Sequence, residues 1–161
     1  MLEILRYPNT VLDTCTQRVE EIDDDILKKI HSMFDTMYEN EGIGLAANQV
    51  GIDKSIIVFD CSEDGESPRC LINPHITSER GQSLHSEGCL SFPGISLTIL
   101  RSKEIDVSFM DINGKNQNMT FEGIESICVQ HEIDHLLGKT FLSRANRSTR
   151  RRVLKALRKK K

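Results

Sequence analysis

Two histidines four residues apart, in the run His131-Glu132-Ile133-Asp134-His135, are the strongest chemical signal in the chain. On a helix that spacing stacks two imidazoles on one face, where they can share one cation. Glu132 lies roughly 100° around the same helix, close enough to a cation-bound water to exchange protons with it without being a ligand. The competing reading is two histidines satisfied inside a packed helix, because a five-residue pattern also arises by chance.

A catalytic ion of this kind needs a third protein ligand and an open position for water. Residues 136–161 contain no Asp, Glu, His or Cys. The third ligand is therefore expected upstream, which counts against the usual zinc-protease arrangement. Cys128 shares the histidine stripe, but a rise of about 1.5 Å per residue puts it a turn below His131, away from His135. It reads as a pocket wall or a core cysteine. Cys15 and Cys70 sit in or beside structural segments, and Cys61 precedes a polar loop. Cys89, in Glu87-Gly88-Cys89-Leu90-Ser91, lies where a glycine lets the backbone approach another group closely. Burial is the competing reading for any single cysteine; the need for an upstream ligand puts Cys89 first.

These residues need elements to hold them. Residues 126–137 read as a helix stopped by Gly138. Ile124, Ile127, Cys128, His131 and His135 form one stripe, and Val129, Ile133, Leu136 and Leu137 another on the opposite side; a helix apolar on two sides is a buried one. A second, amphipathic helix is predicted from Ile26, Leu27, Ile30, Met33, Phe34 and Met37, opened by Asp23-Asp24-Asp25. Short apolar or β-branched runs at 54–60 and 69–73 read as strands. The alternation over 104–110, followed by Asn113-Gly114, reads as a hairpin. Together they predict an α+β fold: short, mostly antiparallel strands around a buried central metal-binding helix, with an amphipathic helix in the N-terminal half and a basic helix at the C-terminal end. Residues 1–143 are expected to form the catalytic part and 144–161 the basic helix of the same domain.

Composition is that of an ordinary globular chain, with 38% hydrophobic and 28% charged residues among 161. The longest apolar run, residues 56–59, is far too short to cross a bilayer. The first eight residues have neither a signal-peptide nor a transit-peptide pattern, so a cytoplasmic location is expected. Five cysteines without framework spacing point to reduced thiols. The net charge of −3 hides an asymmetry: residues 144–161 carry ten Lys or Arg and no acid, leaving 11 basic against 24 acidic residues elsewhere, or −13. No membrane or DNA partner is expected. The basic helix could remain solvated or attract phosphate, ribosomal RNA being the partner proposed for it.

Three segments now stand in order: Gly42-Ile43-Gly44-Leu45-Ala46-Ala47-Asn48-Gln49, Glu87-Gly88-Cys89-Leu90-Ser91 and Gln130-His131-Glu132-Ile133-Asp134-His135. Each resembles a defining motif of the peptide deformylases, the enzymes that remove the N-formyl group from nascent polypeptides, and the length and basic terminal helix resemble the bacterial form. The resemblance implies Cys89, His131 and His135 as ligands of one divalent ion, iron(II) physiologically with zinc as the other candidate. It implies Glu132 as the acid/base, with Gln49 and the backbone N–H of Leu90 facing the formyl oxygen. It implies N-formylmethionyl peptides as substrates, with Ile43, Gly44, Glu87, Leu90, Ile127 and Cys128 at or beside the methionine pocket. Asp134 reads as a supporting carboxylate and Arg101 as an ionic partner.

Two positions depart from the family's pattern. Ser96 stands where many members have Arg, and Asp13 follows Leu12 where Arg is frequent. The first concerns how the peptide beyond methionine is held, not the metal chemistry. A zinc peptidase, a deformylase-like paralogue with altered substrates and a nucleic-acid module with a structural metal are the competing functions.

Overall fold

The computed structural model describes residues 1–159. Strands β1 (Gly44–Ala46), β2 (Ile56–Phe59), β3 (Arg69–Arg80), β6 (Glu104–Met110) and β7 (Asn116–Glu122) form one antiparallel sheet in the order β1-β2-β3-β6-β7, and β4 (Ser83–Glu87) pairs with β5 (Leu97–Arg101) in a separate ribbon. Three α-helices complete it: α1 (Asp24–Glu39), α2 (Gly123–Leu136) and α3 (Arg147–Lys159). The α+β expectation is met.

Helix α1 begins where the acids predict. Asp23 accepts the backbone N–H of Ile26 at 2.9 Å, and Asp24 and Asp25 lie in the first turn, where carboxylates suit the helix dipole. Its buried residues Ile26, Ile30, Met33 and Met37 pack with Ile56, Val58 and Ile72 on one face of the large sheet. Ile57, Phe59 and Leu71 point to the other face, against Val129, Ile133 and Leu136 of α2. Strand β2 is therefore buried at four consecutive positions because a helix covers each face.

Helix α2 starts three residues earlier than predicted. Gly123, at φ 63°, turns the chain from β7 straight into the helix. Eleven of its 14 residues are buried, as a helix packed on two sides requires. The ends of the two predicted stripes escape: Ile124 is exposed, and Leu137 caps the helix and is exposed too. Gly138 follows at φ 74°, and a Cβ there would meet the Asp13 carbonyl oxygen at 2.8 Å.

Strand β3 runs seven residues beyond the predicted 69–73. Asn73 and Pro74 look like a terminator but make a bulge: Asn73 sits at φ 52° and the pairing with β6 shifts between Ile72 and His75 before resuming. The Asn73 carboxamide secures the bend with two 2.9 Å bonds, accepting from the Val19 amide and donating to its carbonyl.

Candidate metal centre

Strand β4 and helix α2 bring the three motifs together. Glu87 ends β4, and two residues later Cys89 projects toward α2. The Cys89 sulfur lies 3.3 Å from His135 Nε2, and one ligand atom each of Cys89, His131 and His135 falls within a 4.8 Å cluster. A tetrahedral ion with bonds of about 2.0–2.3 Å holds its ligands about 3.3–3.8 Å apart. This donor set therefore fits one soft or borderline divalent cation. It is the only such His/Cys/Asp/Glu group among the described residues. Cys128 stands outside it, as the helical rise predicts.

Around this cluster Glu87, Arg101 and Asp134 form a buried, paired network that Arg144 joins from the surface. Arg101, on β5, is 4% exposed. Its Nε and one terminal nitrogen donate to the two Glu87 oxygens at 2.7 and 2.9 Å, and its other terminal nitrogen donates to Asp134 at 2.7 Å. Arg144 reaches Asp134 from beyond α2, at 3.0 and 2.8 Å. The remaining partner of Glu87 is His131, whose Nδ1 lies 2.8 Å from Oε1. Glu87 thus fixes one ring nitrogen of His131 while the other faces the Cys89 thiol, the arrangement that orients a ligating histidine.

Titration follows from this setting. Burial by itself would raise the Glu87 carboxyl, but the hydrogen bonds and charges of Arg101 and His131 outweigh it and hold the group at about 2. Glu132 has no comparable partner. Burial pushes its carboxyl up to about 7, and the Glu87 and Asp134 charges add to this against His131 and Arg101. Its Oε2 is buried without a hydrogen bond. The two histidines move apart. His131 is raised well above the ordinary range because Cys89 and Glu87 overcome burial, whereas burial and the positive charges of His131 and Arg101 press His135 well below it.

Beside the cluster opens a cavity of about 540 Å³. Ile43, Gly44, Gln49, Leu90, Ile127, Cys128 and Glu132 all line it, as do Glu87, Cys89 and His131. Glu87 differs from the other predicted wall residues in that its carboxylate oxygens are already engaged by Arg101 and His131. Gln49 is held by its Oε1, which accepts from the Ala46 amide at 2.9 Å, so its Nε2 points inward, 3.1 Å from Ser91 Oγ and 3.7 Å from Cys89 Sγ. A Cβ on Gly44 would lie 2.7 Å from Cys128 Sγ and 2.9 Å from Glu132 Oε1. The glycine therefore makes room first for α2, and only then for a ligand. At the rim, Ser96 bonds across the β4–β5 ribbon to Ser86, oxygen to oxygen at 2.8 Å.

Sequence reasoning underweighted three groups. Arg101 is an ionic partner as expected, and moreover the hub of the buried network; an arginine in the apolar alternation of residues 97–101 is the signal for that. Arg144 opens the basic segment 144–161 but is bound to Asp134. Asn48 is 2% exposed and donates to the His135 carbonyl at 2.5 Å; nothing local distinguishes it from a loop asparagine.

Comparison with known proteins gives one answer. The sequence pattern of the family described as polypeptide deformylase matches residues 1–151. A peptide deformylase of Neisseria meningitidis is 41% identical over 160 residues, covering 99% of this chain and 96% of the relative. One of Aquifex aeolicus is 43% identical over 155 residues, covering 94% and 92%. The crystal structure of a peptide deformylase from Synechococcus elongatus in complex with actinonin superimposes with a TM-score of 0.92 at 41% identity, covering 99% of this chain and 87% of that one.

Proposed function

Because this chain belongs to the peptide deformylase family, we propose that the residues around Cys89, His131 and His135 carry out that family's metal-dependent reaction, hydrolysis of the N-formyl group of formylmethionyl polypeptides with release of formate. The observation that carries this assignment is the convergence of one thiol and two imidazoles within 4.8 Å beside the buried Glu132 carboxylate, at the wall of a cavity.

Cys89, His131 and His135 would hold a divalent ion, which would supply a water of lowered pKa and an electrophile for the formyl oxygen. Glu132 accepts the proton of the attacking water and returns one to the departing amine nitrogen. Its Oε2, buried on the cavity wall without a hydrogen-bond partner, is free for both transfers. The inward amide of Gln49 and the Leu90 N–H donate to the formyl oxygen as it becomes negative, an effect of about 3–4 kcal/mol for a well-placed donor. Glu87 and Arg101 keep His131 in one orientation. Ile127, Cys128, Leu90 and Ile43 offer apolar wall for a methionine side chain, which fills irregular apolar space well. Nothing in the site favours cleavage of internal peptide bonds, the alternative function.

The test is formate release from formyl-Met-Ala-Ser by anaerobically purified protein loaded with iron(II), beside Glu132→Gln. The variant should keep its metal and lose about 10²–10⁴-fold in kcat. Equal activity of the two would remove Glu132 from the reaction.

The family resemblance implies iron(II) as the working ion; the donor set does not choose, since one thiolate and two imidazoles suit zinc as well. Thiolate-held iron(II) is oxygen-sensitive, so activity should fall in air with the iron form and persist with zinc at a lower level. The cytoplasm, where formylated nascent chains emerge, is the proposed location. Among the described residues no helix is long and apolar enough to cross a membrane.

Residues 144–161 are read as part of the same domain, because Val153, Leu154 and Leu157 pack with Phe92, Phe141 and Leu142. The opposite side of α3 exposes Arg147, Arg151, Arg152, Lys155 and Arg158; of the three terminal lysines, Lys160 and Lys161 lie outside the described residues. Docking to ribosomal RNA is proposed for this face. Reversing Arg151, Arg152 and Lys155 to Glu should weaken ribosome binding and flatten its salt dependence; unchanged binding would remove the idea.

A further inference from the structure

The two histidines of the cluster differ in how their outer nitrogens are held. His131 has Glu87 at Nδ1. His135 turns Nε2 toward Cys89, and its Nδ1 is buried with no hydrogen-bond partner. A histidine that ligates through Nε2 carries its proton on Nδ1, so this orphan is a donor. Ligating histidines almost always give that proton to an acceptor, which fixes the tautomer and the ring plane.

The described residues hold one matching orphan outside the cavity wall. Asn48 lies in the short helical turn Ala47–Val50, is 2% exposed, and has a buried Oδ1 without a partner. The other end of the same carboxamide donates to the His135 backbone oxygen at 2.5 Å, across 87 residues of sequence. That bond decides which way round the amide sits, because a flip would set two oxygens against each other. An acceptor without a donor is thus tied to the very residue that has a donor without an acceptor. The third buried orphan, Glu132 Oε2, belongs to a residue of the cavity wall.

We propose that Asn48 is the positioning residue of His135: its Oδ1 takes the Nδ1 proton through one buried water, and its Nδ2 holds the backbone of the same histidine. The water accepts from the ring N–H and donates to the amide oxygen, so each of the two orphans gains a partner. Asn48 and Glu87 then do the same work for the two rings, one neutral and one anionic. This rests on the assignment of Cys89, His131 and His135 as ligands.

The test uses the full chain, labelled with ¹⁵N at histidine and loaded with zinc. Long-range proton–nitrogen spectra read each ring's tautomer, and exchange rates read whether Nδ1–H is protected. In the wild type, both His131 and His135 should ligate through Nε2 and show slowly exchanging Nδ1 protons. Asn48→Leu should lose the protected proton of His135 alone and raise the zinc Kd about 10–100-fold. A purely structural asparagine would lower the melting temperature of the metal-free protein and leave the ring proton and the zinc Kd where they were, which would overturn the proposal. So would rapid exchange of the His135 Nδ1 proton in the wild type, a result that needs no variant to fold. A wild-type His135 whose Nε2 carries no metal signature would overturn the ligand assignment itself, and the inference with it.

Discussion

Consider Gly44→Ala. The added Cβ would lie 2.7 Å from Cys128 Sγ, 2.9 Å from Glu132 Oε1 and 3.1 Å from Glu132 Cγ, where heavy atoms in contact prefer about 3.5–4.0 Å. Strand β1 cannot retreat, because Gly44 pairs with Phe59 and its neighbours Leu45 and Ala46 are fully buried. Helix α2 cannot retreat either, being packed on both sides. The Glu132 carboxylate, at the end of a flexible side chain, must therefore move by something near 1 Å, a misplacement that can lower a rate by about 10²-fold. The sulfur contact adds overpacking strain of about 1–3 kcal/mol, and a domain of this size loses roughly 2–4 °C of melting temperature per kcal/mol. The expected outcome is a fall of about 10²-fold in kcat for formate release, unchanged metal content, and a melting temperature lower by roughly 2–12 °C. Adding Cys128→Ala should restore part of the melting temperature but little of kcat, since it relieves the sulfur and not the carboxylate. A Gly44→Ala enzyme with kcat within threefold of wild type would refute the placement of Glu132.

Three further outcomes follow from the same geometry. Arg101→Leu leaves Glu87 and Asp134 buried without their shared partner and should destabilise by about 3–5 kcal/mol, read as a lower urea midpoint at constant m; a loss under about 1 kcal/mol would contradict the network. Gln49→Leu should lower kcat by about 10²–10³-fold with the metal retained, whereas a change confined to KM would make Gln49 a binding group only. Glu87, held at about 2 against an ordinary 4.5, contributes stability that is present above about 4.5 and lost as pH falls toward 2, by at most about 3 kcal/mol. Urea unfolding of metal-free protein between pH 5 and 3 should show that loss, and Glu87→Gln should remove this part of the slope.

Features set by neighbours along the chain were legible without coordinates. Asp23 through Asp25 mark the start of α1, the 3.6-residue stripe marks its buried face, and Asn113-Gly114 marks the β6–β7 turn. The sharing of one face by His131 and His135 is likewise a property of any helix. Cys89 is reachable because the tail holds no ligand, Glu132 because it lies beside the histidine pair on the same helix, and Gln49 and Leu90 through the motif resemblance. The partners of Arg101, Arg144 and Asn48 are not legible in the sequence. They lie 14 to 33, 10 and 87 residues away, and no local spacing encodes which carboxylate or carbonyl a side chain will meet.

What composition and spacing indicate by themselves is thus the set of proposed donor residues and the helix that carries two of them, because donor chemistry and helical periodicity are local. What tertiary structure alone decides is how those atoms are aimed and charged. The β4–β5 register and the burial of α2 bring Glu87 to the His131 ring and Asn48 to the His135 backbone, and leave Glu132 Oε2 without a partner. Orientation and pKa depend on groups that only packing brings within hydrogen-bonding reach, in a medium that only burial makes poor in water.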